Sequence, residues 1–167
     1  KSSGLATSRG VLANEYLETN LSDAWTAGDV AEFNDLILGD RVQLGNWVNA
    51  QVQGKIAGFN MVGSAGKQPF KLVSFYTTQG FGINIAFVGD ARPGPDRQVI
   101  RRGSKEANSY GRILVKNNEI VGATLLNRTQ ELGPISKLVE QNVNVSSMLD
   151  QLGDPNVDLK TLLAPAA

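Results

Sequence analysis

A pair of asparagines between two apolar runs constrains the fold of this chain more than any other feature. Asn117-Asn118 separates the strand-like segments 110–116 and 119–126. Asparagine tolerates positive φ, and a two-residue loop of such residues joins adjacent antiparallel strands. The segment therefore predicts a β-hairpin. Its strands must be antiparallel, because a parallel return needs a crossover of a dozen or more residues.

Short apolar segments precede this hairpin, and helical patterns follow it. The strand candidates cover residues 70–76, 82–88, 98–102, 110–116 and 119–126, with turns predicted at Gln79-Gly80, 91–95 and 103–109. Leu132, Ile135, Leu138 and Val139 then share one helical face. We expect Ser146 to cap a helix over 147–152 that Gly153 ends. The predicted fold class is α+β, with a five-stranded antiparallel sheet and C-terminal helices.

The residues before the sheet predict short strands and one helix. Residues 10–19 predict a short strand or a hairpin, and residues 22–26 predict a short strand that ends in the turn Ala27-Gly28-Asp29. Between Asp40 and Gly63, apolar and small residues recur at helical spacing. The Gly/Pro/Ser-rich break at 63–69 predicts a domain boundary. We therefore expect one domain segment over 1–63, a second domain over 69–152 and a loose tail over 153–167.

The amino-acid composition excludes several kinds of chemistry. The chain has no cysteine and no histidine, so disulfides, thiolate metal sites and Ser-His-Asp or Cys-His catalysis are excluded within it. We expect no metal site, and no catalytic residue is assigned. The 16 basic residues equal the 16 acidic ones, which does not favour a nucleic acid or a membrane as partner. With no apparent secretory leader, we expect a cytoplasmic protein.

The turn Ala27-Gly28-Asp29 is the first candidate site. An acid just beyond a strand can accept hydrogen bonds from a ligand hydroxyl, and the two small residues before it let a ligand approach the backbone. The N-terminus of the following helix could face an electron-rich group. The alternative is that the turn is only a helix cap or a surface turn.

A family resemblance rests on two segments that contain this turn and the helix. RGVLANEYLETNLSDAWTAGDVAEF and GNWVNAQVQGKIAGFNMVG resemble the end of the FAD domain in flavin-dependent pyridine nucleotide oxidoreductases. This superfamily includes rubredoxin, ferredoxin and nitrite reductases. The shared pattern is a Thr, a short apolar strand and Ala-Gly-Asp, with Thr19 and Asp29 at the expected positions. Residues 69–152 resemble the superfamily's C-terminal interface domain. The resemblance thus implies that residues 1–63 are the C-terminal segment of an FAD-binding domain and that residues 69–152 are an interface or dimerisation-like domain.

The resemblance implies a cofactor and residues that contact it. The cofactor would be FAD, with NAD(P)H used by the full-length protein. Asp29 would bind the ribityl hydroxyls, and Ala27 and Gly28 would permit the approach. Trp47 and Gln51, in the helix, would be lesser contacts near the pyrimidine end of the flavin.

In the second domain the resemblance leaves two questions open. Relatives place an aromatic residue near the flavin in the region of 72–82, and Phe75, Tyr76 or Phe81 could correspond to it. The alternative is that these rings fill the core of the sheet.

A basic cluster is the second open question, and it is formed by Arg92, Arg97, Arg101, Arg102 and Lys105. The cluster is either a solvated hairpin or a docking patch for an acidic electron-transfer protein.

The chain also departs from the superfamily. The Gly-rich FAD fingerprint and the NAD(P)H domain are absent from these 167 residues. We therefore expect the C-terminal portion of an FAD-dependent NAD(P)H oxidoreductase, inactive as a fragment. Its expected partners are the missing N-terminal FAD and NAD(P)H domains, an electron-transfer protein and a second copy in a homodimer. The alternative is a free-standing dimerisation or assembly module without redox activity.

Overall fold

The computed structural model describes residues 3–63 and 66–163 and divides the chain into one unit up to Ser74 and another from Phe75. The first unit contains strands β1 (Val11–Leu12), β2 (Ala31–Asn34) and β3 (Arg41–Val42), followed by helix α1 (Trp47–Val62). The strand order is β1-β2-β3; β1 and β2 pair in parallel, and β2 and β3 pair antiparallel.

The first unit has its own hydrophobic core. Leu17, Phe33 and Phe70 are almost completely buried, and the rings of Phe33 and Phe70 meet edge to face with centroids 5.1 Å apart. Burying a large apolar side chain stabilises a fold by about 1.5–3 kcal/mol. Because Phe70 belongs to this core, the strand predicted over 70–76 does not form there. The strand begins at Phe75 instead.

Helix α1 is shorter than the pattern over residues 40–63 predicted. Arg41–Val42 pairs with β2, and the helix begins only after Asn46. The side-chain oxygen of Asn46 accepts a hydrogen bond from the backbone N–H of Asn49 at 2.8 Å, which is a typical N-cap. Gly63, with φ of +66°, ends the helix in the left-handed conformation.

The strand predicted over residues 22–26 is wrong. Ser22 and Asp23 form a turn, and Asp23 has φ of +57°. Within this segment only Trp25 makes a β-bridge, to Glu18. The regular strand is β2, which follows the Ala27-Gly28-Asp29 turn. It forms there because the residues of β2 pair with both β1 and β3.

The second unit is built on an antiparallel sheet of five strands. The strands are β4 (Phe75–Gly80), β5 (Ile83–Gly89), β6 (Gln98–Ser104), β7 (Ser109–Lys116) and β8 (Glu119–Leu126), in the order β4-β5-β8-β7-β6. All neighbouring pairs are antiparallel. The predicted α+β class, with short strands and a helix before a five-stranded sheet, is confirmed.

Two tight turns connect strands of this sheet. Asn117 and Asn118 have φ of 52° and 66°, so the predicted β7–β8 hairpin is confirmed. The turn predicted at Gln79-Gly80 is wrong, because both residues pair with β5 and the turn is Phe81-Gly82. Phe81 adopts φ of +52° there and is fully exposed.

Two helices pack against the sheet. Helix α2 (Leu132–Glu140) contacts β5 and β8, and it buries Ile135, Leu138 and Val139 as predicted. Helix α3 (Leu149–Gly153) contacts β6 but begins later than expected. Its N-cap is Met148 without a side-chain hydrogen bond, so the predicted Ser146 cap is wrong. Among the described helices, none is long and apolar enough to cross a bilayer.

The segment after α3 differs from the loose tail that we expected from residue 153. Leu159 and Leu162 are buried. The guanidinium of Arg102, in β6, is itself only 1% exposed and donates hydrogen bonds to the backbone carbonyls of Leu152, Asp154 and Val157. A buried cation therefore holds the chain as far as Val157 against β6, and the turn Leu159–Leu162 beyond it contacts α2. The last four residues, 164–167, lie outside the described part.

Candidate cofactor-binding site

The turn Ala27-Gly28-Asp29 lies at the start of β2. Ala27 is extended, Gly28 has φ of +80°, and Gly28–Val30 form one turn of 3-10 helix that leads directly into the strand. The turn therefore precedes a regular strand, whereas the sequence analysis placed it after one. Glycine is required at position 28 because an L-residue at this φ is strained.

A buried glutamine anchors this turn to helix α1. The backbone N–H of Gly28 donates a hydrogen bond to Oε1 of Gln53 at 2.7 Å, and Gln53 is completely buried. A Cβ on Gly28 would lie 3.5 Å from the Cβ of Ala50, so the helix packs directly on the turn. Gln51, the glutamine predicted as a flavin contact, is exposed. Gln53 lies instead on the face of α1 that buries Asn49 and Ala57, and its polar side chain gave no apolar signal of that face.

The Asp29 side chain is exposed and lies against the backbone of Gly45. A Cβ on Gly45 would be 2.9 Å from Cγ of Asp29, so a larger residue at position 45 would displace the Asp29 carboxylate from its present place. Gln43 Nε2 donates a hydrogen bond to the Asp29 backbone carbonyl at 2.8 Å. Within residues 3–63 and 66–163, nothing donates a hydrogen bond to the Asp29 carboxylate. Both carboxylate oxygens can therefore accept hydrogen bonds from an external hydroxyl.

The N-terminus of α1 is held by polar side chains. Asn46 and Asn49 donate hydrogen bonds through Nδ2 to Oγ of Ser74, at 2.8 and 3.1 Å. Trp47, the first residue of the helix, is 74% exposed, and Gln51 is exposed on the same side. Both residues could contact a molecule outside the chain. The hydrogen bond to the Gly28 backbone is accepted by Gln53 and not by Trp47 or Gln51.

Two buried amide atoms on α1 lack hydrogen-bond partners in the described part of the chain. They are Oδ1 of Asn49, an acceptor, and Nε2 of Gln53, a donor. A buried polar group without a partner costs about 1–3 kcal/mol. The two residues are four positions apart on one helix face, next to the turn. Two buried polar atoms near the turn are therefore left unsatisfied by the described part of the chain.

Thr19, the other residue of the family pattern, has a local role. Its hydroxyl donates to the backbone carbonyl of Ala24 at 3.0 Å. It lines a polar groove of about 540 Å³ together with the ion pair of Glu18 and Lys67, whose charged atoms are 2.6 Å apart. Asp29 is not among the residues that line this groove.

The aromatic residues at the start of the sheet differ in their surroundings. Tyr76 is 41% exposed, and its ring stacks on Phe87 with centroids 4.6 Å apart. Phe75 is half-buried, whereas Phe81 is fully exposed in the β4–β5 turn. None of the three is buried in the sheet core.

The predicted basic cluster does not form a single patch. Arg92 and Arg97 make ion pairs with the buried Asp90, at 2.8 and 2.9 Å. Burial alone would raise the pKa of Asp90, but the hydrogen bonds from the two guanidinium groups outweigh it and hold the pKa far below its ordinary value. Arg102 is buried and pairs with Glu131 at 2.8 Å. Within the residues that the structure describes, Arg101 and Lys105 are the exposed members of the cluster that form no ion pair.

Comparison with known proteins gives the family. Residues 75–163 match the family described as "Reductase C-terminal", which is more than half of the chain. The chain belongs to the reductase C-terminal family. The expected resemblance to FAD-dependent pyridine nucleotide-disulfide oxidoreductases is thereby confirmed, and relatives of this reductase C-terminal chain agree with it.

Two curated relatives extend the match toward the N-terminus of this reductase C-terminal chain. It is 29% identical over 163 residues to the biphenyl dioxygenase system ferredoxin–NAD(+) reductase component of Paraburkholderia xenovorans, which covers 98% of this chain and 38% of the relative. It is 30% identical over 144 residues to the 3-phenylpropionate/cinnamic acid dioxygenase ferredoxin–NAD(+) reductase component of Photorhabdus laumondii, covering 86% and 35%. The chain thus spans less than two-fifths of these relatives.

Solved structures share the fold of this reductase C-terminal chain. A ferredoxin reductase from Rhodopseudomonas palustris superposes with a TM-score of 0.78 at 22% identity, over 98% of this chain and 39% of that one. A chain of the covalent putidaredoxin reductase–putidaredoxin complex gives 0.79 at 21% identity, over 96% and 37%. Both matches include the first unit as well as the sheet.

Proposed function

We propose that this chain is the C-terminal portion of an FAD-dependent NAD(P)H oxidoreductase and supplies contacts to the flavin together with an interface domain. The observation that carries the proposal is the Asp29 carboxylate, which is held on a structured turn and accepts no hydrogen bond from the described chain. The relatives named as ferredoxin–NAD(+) reductases support it. Bound FAD would supply the redox chemistry, by taking a hydride from NAD(P)H and passing electrons to an acceptor.

In this proposal the residues of the chain bind and orient the cofactor. Asp29 accepts hydrogen bonds from the ribityl hydroxyls, and such charge-assisted bonds are about twice as strong as neutral ones. Ala27 and Gly28 leave room for the close approach. Trp47 and Gln51, exposed in the first turns of α1, lie at the end of the helix whose dipole favours an electron-rich group.

The rest of the whole protein follows from the same proposal. The first unit completes an FAD-binding domain, and the segments that hold the FAD pyrophosphate and NAD(P)H lie in the part of the protein that this chain does not span. Its electron acceptor is an electron-transfer protein, as the names of the relatives and of one solved complex indicate for those proteins. This chain alone would then be inactive and would bind FAD weakly or not at all.

The test uses the whole protein that carries this chain, with the matched variants D29A and D23N. Asp29 and Asp23 are both exposed acids of the first unit, and asparagine tolerates the positive φ of position 23. Losing a hydrogen bond to a charged group costs about 1.5–3 kcal/mol, so we expect D29A to weaken FAD binding roughly 10- to 100-fold. D23N should bind as the parent does.

The measurement is the FAD dissociation constant of each apoprotein, obtained from the quenching of flavin fluorescence. A whole protein that purifies without flavin, and takes up none, would refute the proposal and favour the assembly module. Equal FAD affinities for D29A and D23N would refute the role of Asp29.

A further inference from the structure

Among the described elements, helices α2 and α3 pack on one face of the five-stranded sheet, and no helix packs on the other face. Residues directly opposite on neighbouring strands share a face, and one such row crosses the whole sheet. The row consists of Tyr76, Phe87, Thr124, Arg112 and Arg101. All of these are half-buried or exposed, whereas their sequence neighbours on the helical face, such as Ala86 and Leu125, are fully buried. We call this surface the open face.

The open face is basic at its β6–β7 end. Arg101 stands directly opposite Arg112 in the register, and like charges in this position destabilise a sheet. Lys105 lies over the ring of Tyr110, 5.9 Å from its centroid. One guanidinium nitrogen of Arg112 donates to the Ala91 carbonyl at 3.2 Å. In the described part of the chain, none of these cations forms an ion pair.

These cations border one surface groove of about 460 Å³. Val99, 37% exposed, and Tyr110 also line it, and Glu106 is its one acidic residue among the described ones. Arg101, Lys105 and Arg112 therefore give the groove a positive excess, although the whole chain carries no net charge.

Two neighbouring arginines of the same unit, unlike Arg101 and Arg112, form ion pairs within the described part of the chain. Arg97 pairs with the buried Asp90, and Arg102 pairs with Glu131. The fold thus neutralises these charges internally but leaves a repulsive pair on the open face. A partner with negative charge would remove that repulsion.

We propose that the basic end of the open face, formed by Arg101, Lys105 and Arg112, docks an acidic protein. That protein is the electron acceptor of the whole enzyme, so this docking site rests on the proposed function. Arginine and tyrosine are enriched where proteins bind each other, and this surface offers both beside an exposed valine. Complementary charge steers such a partner and accelerates encounter at low salt. Arg112 was not part of the cluster predicted from sequence, since only the strand register brings it next to Arg101.

The single variant R101E separates docking from folding. The new carboxylate faces Arg112, so the repulsive pair becomes an attractive one and we expect the thermal stability of the protein to be equal or higher. Docking should still weaken, because the groove loses its positive excess. The matched control is K137E, which makes the same charge change at an exposed position near the end of α2, outside the open face.

The experiment measures NAD(P)H-dependent electron transfer by the whole protein to two acceptors. One is an acidic [2Fe–2S] ferredoxin, and the other is the neutral small molecule 1,4-benzoquinone. For R101E we expect KM for the ferredoxin to rise about tenfold at low salt, and this difference should shrink as ionic strength approaches about 0.5 M. The rate with benzoquinone should stay at the parental value, and K137E should resemble the parent with both acceptors.

The outcomes separate the two proposals. If R101E reduces ferredoxin with the parental KM, or if K137E is affected as strongly as R101E, the docking surface is refuted while the reductase stands. If benzoquinone is not reduced even by the parent loaded with FAD, the proposed function itself fails. A fall in the thermal stability of R101E together with equal losses for both acceptors would assign Arg101 a structural role and also refute the docking surface.

Discussion

Replacing Gln53 by leucine tests whether this residue positions the Gly28 turn. The substitution nearly conserves volume but removes the acceptor for the Gly28 N–H, which lies 2.7 Å from Oε1. It also removes Nε2, a buried donor that has no partner in the described part of the chain. The two changes act on stability in opposite directions.

The magnitude follows from these two contributions. Losing the hydrogen bond leaves the half-buried Gly28 N–H without its acceptor and costs about 1–3 kcal/mol, whereas removing a buried unsatisfied donor recovers about 1–3 kcal/mol. Because the two contributions are of similar size and opposite sign, we expect the free energy of unfolding of Q53L to lie within about 2 kcal/mol of the parent. Loss of the acceptor should lower the free energy of local opening at the Gly28 amide by about 1 kcal/mol. The amide should therefore exchange with solvent roughly fivefold faster.

Two measurements check this prediction on the chain itself. Urea unfolding gives the global free energy, and hydrogen exchange followed by NMR gives the protection of the Gly28 amide. Q51L is the matched control, because it makes the same substitution on the exposed side of the same helix. A loss of more than about 3 kcal/mol in Q53L would mean that Nε2 makes a favourable contact, and unchanged Gly28 exchange would mean that Gln53 does not hold the turn.

Two further predictions concern buried charges in the sheet unit. The pKa of Asp90 is lowered in the folded state, so its stabilising effect is present above its ordinary pKa of about 4 and is lost as pH falls through the lower folded value. D90N should therefore be less stable than the parent by roughly 1–3 kcal/mol near neutral pH, as measured by unfolding experiments. The difference in stability should shrink as the pH falls below about 4, and a constant difference across pH would contradict this. E131Q leaves the buried Arg102 without its carboxylate and should cost about 3–5 kcal/mol in urea unfolding; a change below about 1 kcal/mol would show that the backbone carbonyls alone satisfy Arg102.

The parts of the fold that depend on local sequence were predictable. The β7–β8 hairpin follows from two adjacent asparagines, because positive φ is a property of the turn itself. The buried face of α2 follows from helical spacing. The superfamily was also recognisable, because the Ala-Gly-Asp turn and the helix after it form a pattern of residue types.

The errors arose where distant contacts decide the structure. Phe70 has strand character, but it is buried in the core of the first unit, so β4 starts later. Arg41–Val42 fits a helical pattern, but it pairs with β2. Gln53 was missed because a buried glutamine does not follow the apolar periodicity on which helix faces are predicted. The direct pairing of Arg101 with Arg112 depends on strand register, which spacing alone does not give.

The buried guanidinium of Arg102 has a consequence for the order of events during synthesis. Its acceptors on Leu152, Asp154 and Val157 lie 50 to 55 residues further along the chain. At a translation speed of about 5–20 residues per second, the ribosome makes them roughly 3–10 seconds after the arginine. The Arg102 charge can therefore be enclosed fully only after residue 157 has been made, so β6 reaches its final surroundings later than its own synthesis allows.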